Sequence, residues 1–275
     1  MKDRLTNMVD TAKAVLARMK AHNLTVQAAG VAFFGFLAIV PTLIATISIY
    51  GLVSDPDEIR TQIEDTLANA PETTQEFLVE QMSDISTSGG LGFAVAISIL
   101  LALWSASGAI ANFMKTLNQV YEVSENRNFA LLRGTALGFL VGAIVFFVVS
   151  GFVFAAVPAL LEETGLGETA KTLLNIARFP LMGLAMIAGL GVMYRFGPDR
   201  RGAKYEWISY GAITATVLWL IVSWGFSYYT NATADEGVGI MGILAALLMW
   251  MWLTAVVILV GAEVDASLDD RDKGI

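Results

Sequence analysis

Two acidic residues close the last apolar run of the chain, where VILVGAEVDA at residues 257–266 contains Glu263 and Asp265. A carboxylate that follows such a run either pairs with a cation at the edge of the hydrocarbon or binds protons within it. The sequence leaves both roles open for Glu263. As a paired group it would take Arg195 or Lys115 as its partner, and we expect its neutralisation to disturb assembly more than turnover.

Several other polar or helix-breaking residues lie in or beside apolar runs, where they tend to face another helix or a cavity. Pro41 is expected to kink its helix, either as a structural bend or as part of a substrate path. Ser107 and Asn112 suit helix packing or ligand contact, and Arg178 suits snorkelling or an anionic headgroup. The candidate path or binding residues are Pro41, Trp104, Ser107, Asn112, Arg178, Arg195 and Glu263.

The residue types also exclude some chemistry. The chain has no cysteine and one histidine, His22, so thiolate catalysis and cysteine metal sites are excluded. Hydrolysis of RNA needs a general base, a positioned nucleophile or a metal cluster, and no closely spaced set of ligands is present. We therefore predict a protein that is not an enzyme, with no cofactor, no metal and no nucleic-acid partner.

The composition predicts a membrane protein. Hydrophobic residues make up 56% of the chain, charged residues 15%, and the mean hydropathy is +0.63. Charged residues bound six apolar segments, and all but the fourth exceed the roughly 20 residues that cross a bilayer as a helix. The fourth must recruit Arg178 or Arg195 at its edge. The predicted spans are residues 23–54, 85–114, 134–161, 179–194, 207–234 and 237–262.

Charge placement predicts the orientation of these spans. Of the 17 basic residues, all but Arg60, Lys171 and Arg178 fall on the side that carries both termini, so the positive-inside rule places both termini in the cytoplasm. The net charge of −8 arises mostly from the external loops. We predict an all-α integral membrane protein with a cytoplasmic amphipathic helix over residues 1–22, a six-helix domain over 23–270 and a tail over 271–275.

Two further features bear on partners. Residues 55–88 are predicted to form an acidic, helical external cap inserted between the first two spans. Gly134, Gly138 and Gly142 recur every four residues and predict a packing seam within the protomer or between protomers of a homo-oligomer. The N-terminal helix could lie on the anionic inner leaflet or pack against the protein. Tryptophans well inside the spans suit packing or a cavity for an acyl chain.

Four stretches resemble, in order, the BrkB/YihY family of bacterial inner-membrane proteins: AAGVAFFGFLAIVP, LWSASGAIANFMKTLNQVYEV, MYRFGPDRR and LLMWMWLTAVVILVGAEVDASL. The resemblance covers roughly residues 25 to 270. Two places depart from the family pattern: DEGVGIMG stands where a tyrosine-glycine pair is usual, and Gly197-Pro198 stands where leucine-proline is frequent. Residues that fall on the family pattern are Pro41, Trp104, Ser107, Asn118, Tyr121, Arg195 and Glu263.

The resemblance implies six transmembrane helices in the bacterial inner membrane, with both ends cytoplasmic. It also implies a role in envelope integrity or virulence-associated resistance, commonly supposed to involve transport of a lipid or related component. The family has carried a ribonuclease label, which the residue types above do not support. Two functions are therefore expected: transport or flipping of an amphipathic envelope molecule among membrane lipids, or a non-transporting scaffold whose acidic cap recruits an envelope protein.

Overall fold

A computed structural model describes residues 2–53, 91–156, 167–200, 209–233 and 240–272. Within these ranges the chain forms α-helices, one short π-helical segment and no strand. The α-helices are α1 (Lys2–Ala21), α2 (Leu24–Val53), α3 (Leu91–Val120), α4 (Phe129–Gly151), α5 (Glu168–Phe196), α6 (Tyr210–Thr233) and α7 (Ile240–Asp272). The π-helical segment, Phe152–Ala156, continues α4. The predicted acidic cap at 55–88 lies outside the described residues.

The chain divides into two compact units, one comprising Met1–Phe34 with Ile110–Ile275 and the other Gly35–Ala109. In the first unit, α7 packs along α6, α1 packs against α7, and α5 packs against α6. The second unit holds the later part of α2, which continues through Pro41, and the earlier part of α3. Thr42 Oγ1 donates to the Ala38 carbonyl at 2.7 Å beside this proline.

One end of the first unit gathers the polar groups of the helices, and we call it the polar end; it is marked by Arg18, Glu122, Arg127, Arg200 and Glu263. Helices α3, α5 and α7 terminate there, and α2, α4 and α6 begin there. Successive helices therefore alternate in direction, as they must in a chain that crosses a bilayer serially.

Local sequence explains how helices begin and end here. Asn128 caps α4, and its side chain accepts from the Leu131 amide at 2.8 Å. Between α1 and α2, His22 and Asn23 form a turn in which Asn23 has φ of 50°, a left-handed conformation that asparagine tolerates. The axis bends by 63° at this break.

The main apolar core of the first unit lies beside the polar end. Leu24, Leu117, Tyr194 and Leu259 are almost fully buried in it. Tyr194 also donates from its hydroxyl to the Ile258 carbonyl at 2.6 Å, which ties α5 to α7. A smaller buried cluster joins α3 and α4, but many apolar side chains elsewhere are exposed: Phe147 and Val148 of α4 are 73% and 67% exposed. Apolar side chains left open in this way suit contact with lipid.

Among the residues that the structure describes, four helices can cross a membrane by length and composition, or five if α1 and α2 together form one broken span. The all-helical membrane class predicted from the sequence is confirmed, whereas the count of six crossings stays a prediction. The bounds predicted from charged residues were wrong for two segments. The fourth apolar segment lies in a span of 28 residues, Thr169–Phe196, which includes both Arg178 and Arg195. The sixth continues past Glu263 to Asp272, because the acidic residues there have partners within the protein.

Candidate functional site

Glu263 lies at the centre of the polar end, with its side chain 0% exposed. Its Oε2 accepts from Arg18 Nε at 3.0 Å, and its Oε1 lies 2.6 Å from His22 Nδ1. A buried carboxylate is tolerated when it is paired and hydrogen-bonded. The paired role expected from the sequence therefore fits the geometry, but the expected partners were wrong.

Lys115 and Arg195 cannot act as those partners in this arrangement. Lys115 is exposed on α3, and Arg195 donates from its Nη1 to the Arg200 carbonyl at 3.2 Å. The actual partners are Arg18 of α1 and His22 of the turn after it, 245 and 241 residues away from Glu263 along the chain. Neither residue was predicted from the sequence as a partner of Glu263.

Arg18 joins three helices through the rest of its guanidinium group. Its Nη1 contacts Asp270 Oδ2 at 2.7 Å and Glu122 Oε1 at 3.2 Å, and its Nη2 donates to the Val120 carbonyl at 2.8 Å. Val120 is the last residue of α3, so this bond satisfies a carbonyl that the helix itself leaves open. Arg18 thereby ties α1 to both α3 and α7.

Glu122 stands in an unusual backbone position. The Glu122 amide donates to Gln119 O at 3.2 Å and the Val123 amide to Asn118 O at 2.9 Å, the bond pattern of a Schellman motif. The residue at this point adopts a left-handed conformation and is usually glycine, yet Glu122 occupies it with φ of 52°. Its carboxylate contacts Arg18 and lies 3.5 Å from His22 Nε2.

A second polar layer joins the loop after α3 to the end of α5. Arg127 donates to Glu125 from two nitrogens at 2.7 Å each, and also to the Gly197 carbonyl at 2.8 Å. Asn118 donates to Glu125 Oε2 and accepts from the Asp199 amide. The hydrogen bonds from the Arg127 side chain lower the pKa of Glu125 from 4.5 to about 2.

Arg200 forms a third layer, between α5 and α7. It pairs with Asp269 of α7, and its Nη2 donates to the Tyr194 carbonyl at 3.0 Å. Its guanidinium carbon lies 3.9 Å from the centre of the Tyr121 ring, within the range of a cation–π contact. These contacts make the polar end a continuous network across α1, α3, α5 and α7.

Asp265, the second acidic residue of the last apolar run, fixes the start of α6. Its Oδ1 accepts from the Gly211 amide at 2.6 Å. Beside it the two helices touch backbone to backbone: a Cβ placed on Gly211 would lie 2.1 Å from Gly261 O, and one on Gly261 would lie 2.5 Å from Gly211 O. Both positions therefore require glycine.

At the other end of the α6–α7 pair lies an open groove of about 420 Å³. We call it the α6–α7 groove. Ser223, Ser227 and Thr230 recur on one side of α6 and form a hydroxyl-bearing wall, and the Ser223 Oγ is buried with no hydrogen-bond partner. The remaining lining residues are Phe226, Ile243, Ala246, Leu247 and Trp250.

Within the first unit, the candidate residues from the sequence lie at different levels of the helices. Arg195 and Glu263 belong to the polar end, whereas Arg178 lies 17 positions before Arg195, about 25 Å along α5 at 1.5 Å per residue. Arg178 donates to the Phe154 carbonyl in the π-helical segment at 3.3 Å and stacks near the Phe154 and Phe179 rings.

The other candidates lie on α2 and α3. Pro41, Trp104 and Ser107 belong to the second unit, where Trp104 is 58% exposed and the buried Ser107 donates to the Trp104 carbonyl at 3.0 Å. Asn112 belongs to the first unit and accepts at its carbonyl from Thr116 Oγ1 at 3.2 Å. These contacts are the helix-internal bonds that hydroxyl side chains make at membrane depth.

The predicted glycine seam is open within the described part of the protomer. A Cβ on Gly134, Gly138 or Gly142 would meet no atom within 4 Å. The close helix contact is made instead by Gly211 and Gly261, which are 50 residues apart and formed no visible pattern in the sequence. An interface between protomers stays a prediction for the face that carries Gly134, Gly138 and Gly142.

The fold and the buried network together define a helical integral membrane protein. A model of the family described as "Virulence factor BrkB" matches residues 15–274, and the chain belongs to this family. The resemblance drawn from the sequence is thus confirmed. Among the residues that the structure describes, no group of three or more histidine, aspartate or glutamate residues could hold a metal ion.

Two relatives cover almost the whole chain. The putative ribonuclease-like protein YfkH of Bacillus subtilis is 27% identical over 270 residues, which span 95% of this chain and 96% of that protein. A UPF0761 membrane protein of Alteromonas mediterranea is 29% identical over 267 residues, 93% of this chain and 86% of that protein. No solved structure matches the chain.

Proposed function

We propose that this protein moves an amphipathic envelope component, such as a phospholipid, between the leaflets of the bacterial inner membrane. The observation that carries the proposal is the α6–α7 groove. It lies within the spans Tyr210–Thr230 and Met241–Asp270, so it opens at membrane depth. Its volume of about 420 Å³ lies within the ~300–1,000 Å³ typical of ligand sites.

The two walls of the groove differ in chemistry in a way that suits an amphipathic ligand. Hydroxyl groups on a lipid-facing helix are costly unless they have partners. Ser223 places an unpartnered hydroxyl in the groove, which a headgroup oxygen or ester carbonyl would satisfy. Leu247, Ile243 and Trp250 face it from α7 and offer an apolar surface to an acyl chain.

The exposed side chains near the groove support the same proposal. Trp224 and Tyr228 of α6 are 76% and 73% exposed, and Met241 of α7 is 81% exposed. A molecule that diffuses in the bilayer could therefore enter the groove sideways, without crossing a closed wall.

A matched pair of substitutions tests the proposal. Ala246 lines the groove, whereas Ala245 is exposed on the same helix and does not line it. The purified protein is reconstituted into vesicles that contain a fluorescent phospholipid, and loss of inner-leaflet label is followed after quencher addition. We expect movement with the wild-type chain and with Ala245→Phe, and a fall of tenfold or more, on the order of 1.4 kcal/mol, with Ala246→Phe.

Two outcomes would oppose lipid movement. Equal rates for Ala245→Phe and Ala246→Phe would remove the groove from the path. No movement by the wild-type chain, combined with stable co-purification of an envelope protein, would favour the scaffold function instead. Arg178→Ala is a further check. Arg178 lies on α5 outside the groove, so this variant tests headgroup binding at Arg178 separately from binding of an acyl chain in the groove.

A further inference from the structure

We infer that Glu122, His22 and Glu263 form a proton relay that connects water at the polar end to the buried carboxylate of α7. The inference rests on the proposed function for its purpose, because a relay of this kind would couple lipid movement to a proton gradient. Its existence as a relay rests on the geometry of these three side chains alone.

Exposure decreases stepwise along the three groups. The Glu122 side chain is 62% exposed, the His22 side chain 17%, and the Glu263 side chain 0%. The imidazole lies between the carboxylates, with Nδ1 2.6 Å from Glu263 Oε1 and Nε2 3.5 Å from Glu122 Oε1. Histidine is the side chain best suited to pass protons between its two nitrogens near neutral pH.

The transfer step balances without any other reactant. A His22 imidazolium gives its Nδ1 proton to Glu263 Oε1, which leaves a neutral imidazole and a neutral carboxylic acid. Before this step, the imidazole forms its imidazolium by taking a proton at Nε2 from Glu122 or from water beside Glu122. At 3.5 Å the Glu122 contact is longer than a hydrogen bond, and rotation of this exposed side chain would shorten it. Reversal of the same steps returns the proton to water.

Charged groups from three elements surround the relay. The guanidinium of Arg18 from α1 contacts the carboxylates of Glu122 from the turn after α3 and of Glu263 and Asp270 from α7. Farther along α7, Asp269 pairs with Arg200. Tyr121 borders the same region, and Arg200 stacks on it from the end of α5.

The backbone conformation of Glu122 supplies an independent reason to assign its side chain a role in the relay. Glycine is favoured at this left-handed position of a Schellman motif, because a Cβ there lies too close to the following carbonyl oxygen. A costly backbone conformation that persists is a reason to look for a role in the side chain. Here the side chain is the exposed carboxylate that faces both His22 and Arg18.

The test follows protonation of Glu263 directly. The full chain is held in lipid nanodiscs, and time-resolved infrared spectroscopy records the carbonyl band of a protonated carboxylic acid after a rapid drop in pH. Glu263→Gln should remove this band; if that variant fails to fold, Glu263→Asp should shift it. Removal of a positioned proton-transferring group lowers the rate of proton transfer about 100-fold or more. We therefore expect the band to appear more slowly by about that factor in His22→Gln.

Glu122→Gln and Asp270→Asn form the matched pair. Both acids contact Arg18 Nη1 and both substitutions remove one negative charge, but Glu122 faces His22 while Asp270 has no contact with the imidazole. We expect Glu122→Gln to slow protonation at least severalfold and Asp270→Asn to leave its rate close to that of the wild-type chain. Equal slowing by both variants, or no band that depends on Glu263, would overturn the relay.

Vesicles with and without a pH gradient test the coupling. The gradient should raise lipid movement in the wild-type chain and have no effect in His22→Gln. If the wild-type chain moves lipid at the same rate with and without the gradient, coupling is refuted and the proposed function is unaffected. No lipid movement under any condition would refute the proposed function, while the infrared result would still decide the relay.

Discussion

The two ends of the α6–α7 pair differ sharply in how they are packed. At the polar end, Gly211 and Gly261 bring the two backbones into contact, and Asp265 closes the joint. At the other end the same helices line the α6–α7 groove, and Trp224 is 76% exposed. Close backbone contact at one end and an open groove at the other divide the pair into a structural part and a part that can hold a ligand.

The two ends also differ in the charge of their side chains. The polar end satisfies its buried charges with partners from four helices, and each charge would be costly if left alone. The groove holds hydroxyl groups and no charged side chain, so it offers weak and exchangeable contacts. Stability should therefore be sensitive to substitutions at the polar end and tolerant of those in the groove.

The largest effect is expected from Arg18→Met. This substitution leaves His22 as the remaining partner of Glu263 and removes the hydrogen bond that the Val120 carbonyl accepts from Arg18. We therefore expect the free energy of unfolding to fall by about 3–5 kcal/mol. Unfolding by sodium dodecyl sulfate in mixed micelles, followed by circular dichroism, measures it. The double variant Arg18→Met/Glu263→Leu should regain much of the loss, since no charge is then left buried.

Lys20→Met is the control for that experiment. Lys20 is an exposed basic residue on the same helix, and its replacement should change the free energy of unfolding by no more than about 0.5 kcal/mol. A loss in Arg18→Met no greater than in Lys20→Met would contradict the view that this network holds the polar end together.

Replacement of glycine by alanine at two positions compares how closely the helices are packed there. Gly261→Ala places a Cβ 2.5 Å from a backbone oxygen, so we expect destabilisation of about 1–3 kcal/mol. Gly138→Ala meets no atom within 4 Å and removes a flexible residue from a helix, so we expect stabilisation of about 0.5–1 kcal/mol. The same unfolding assay measures both.

Oligomeric state must be recorded with Gly138→Ala. If its face is the seam between protomers, the substitution would weaken association in light scattering even as the isolated protomer becomes more stable. Destabilisation of both variants by the same amount, with no change of mass, would mean that Gly138 is packed as closely as Gly261.

The smallest effect concerns pH and Glu125. Its pKa is lowered from 4.5 to about 2 by Arg127, so the ionised form is favoured by folding. Because the folded-state pKa is the lower one, this contribution is complete above 4.5 and is lost as pH falls toward about 2. Thermal unfolding of wild type and Glu125→Gln should therefore differ near neutral pH and converge in acid. A difference that persists to the lowest pH would contradict the assignment.

Much of the architecture was predictable because apolar character is local. The run that contains Pro41 was predicted as residues 23–54 and forms Leu24–Val53, and the fifth was predicted as 207–234 and forms Tyr210–Thr233. Predictions were less accurate where charges mark a boundary. Glu263 was taken as the end of a helix that in fact runs on to Asp272, because burial of its carboxylate depends on partners that hydropathy does not reveal.

The sequence by itself determined the helical membrane class and the family, because the free energy of placing each residue in lipid depends mainly on that residue and its immediate neighbours. Only the tertiary structure decided that Glu263 pairs with Arg18 and His22, which lie more than 240 positions away. It also decided which glycines bring helices together and which ones face open space. Such choices follow from how distant helices pack, and a buried charge selects its partner only once those helices have met.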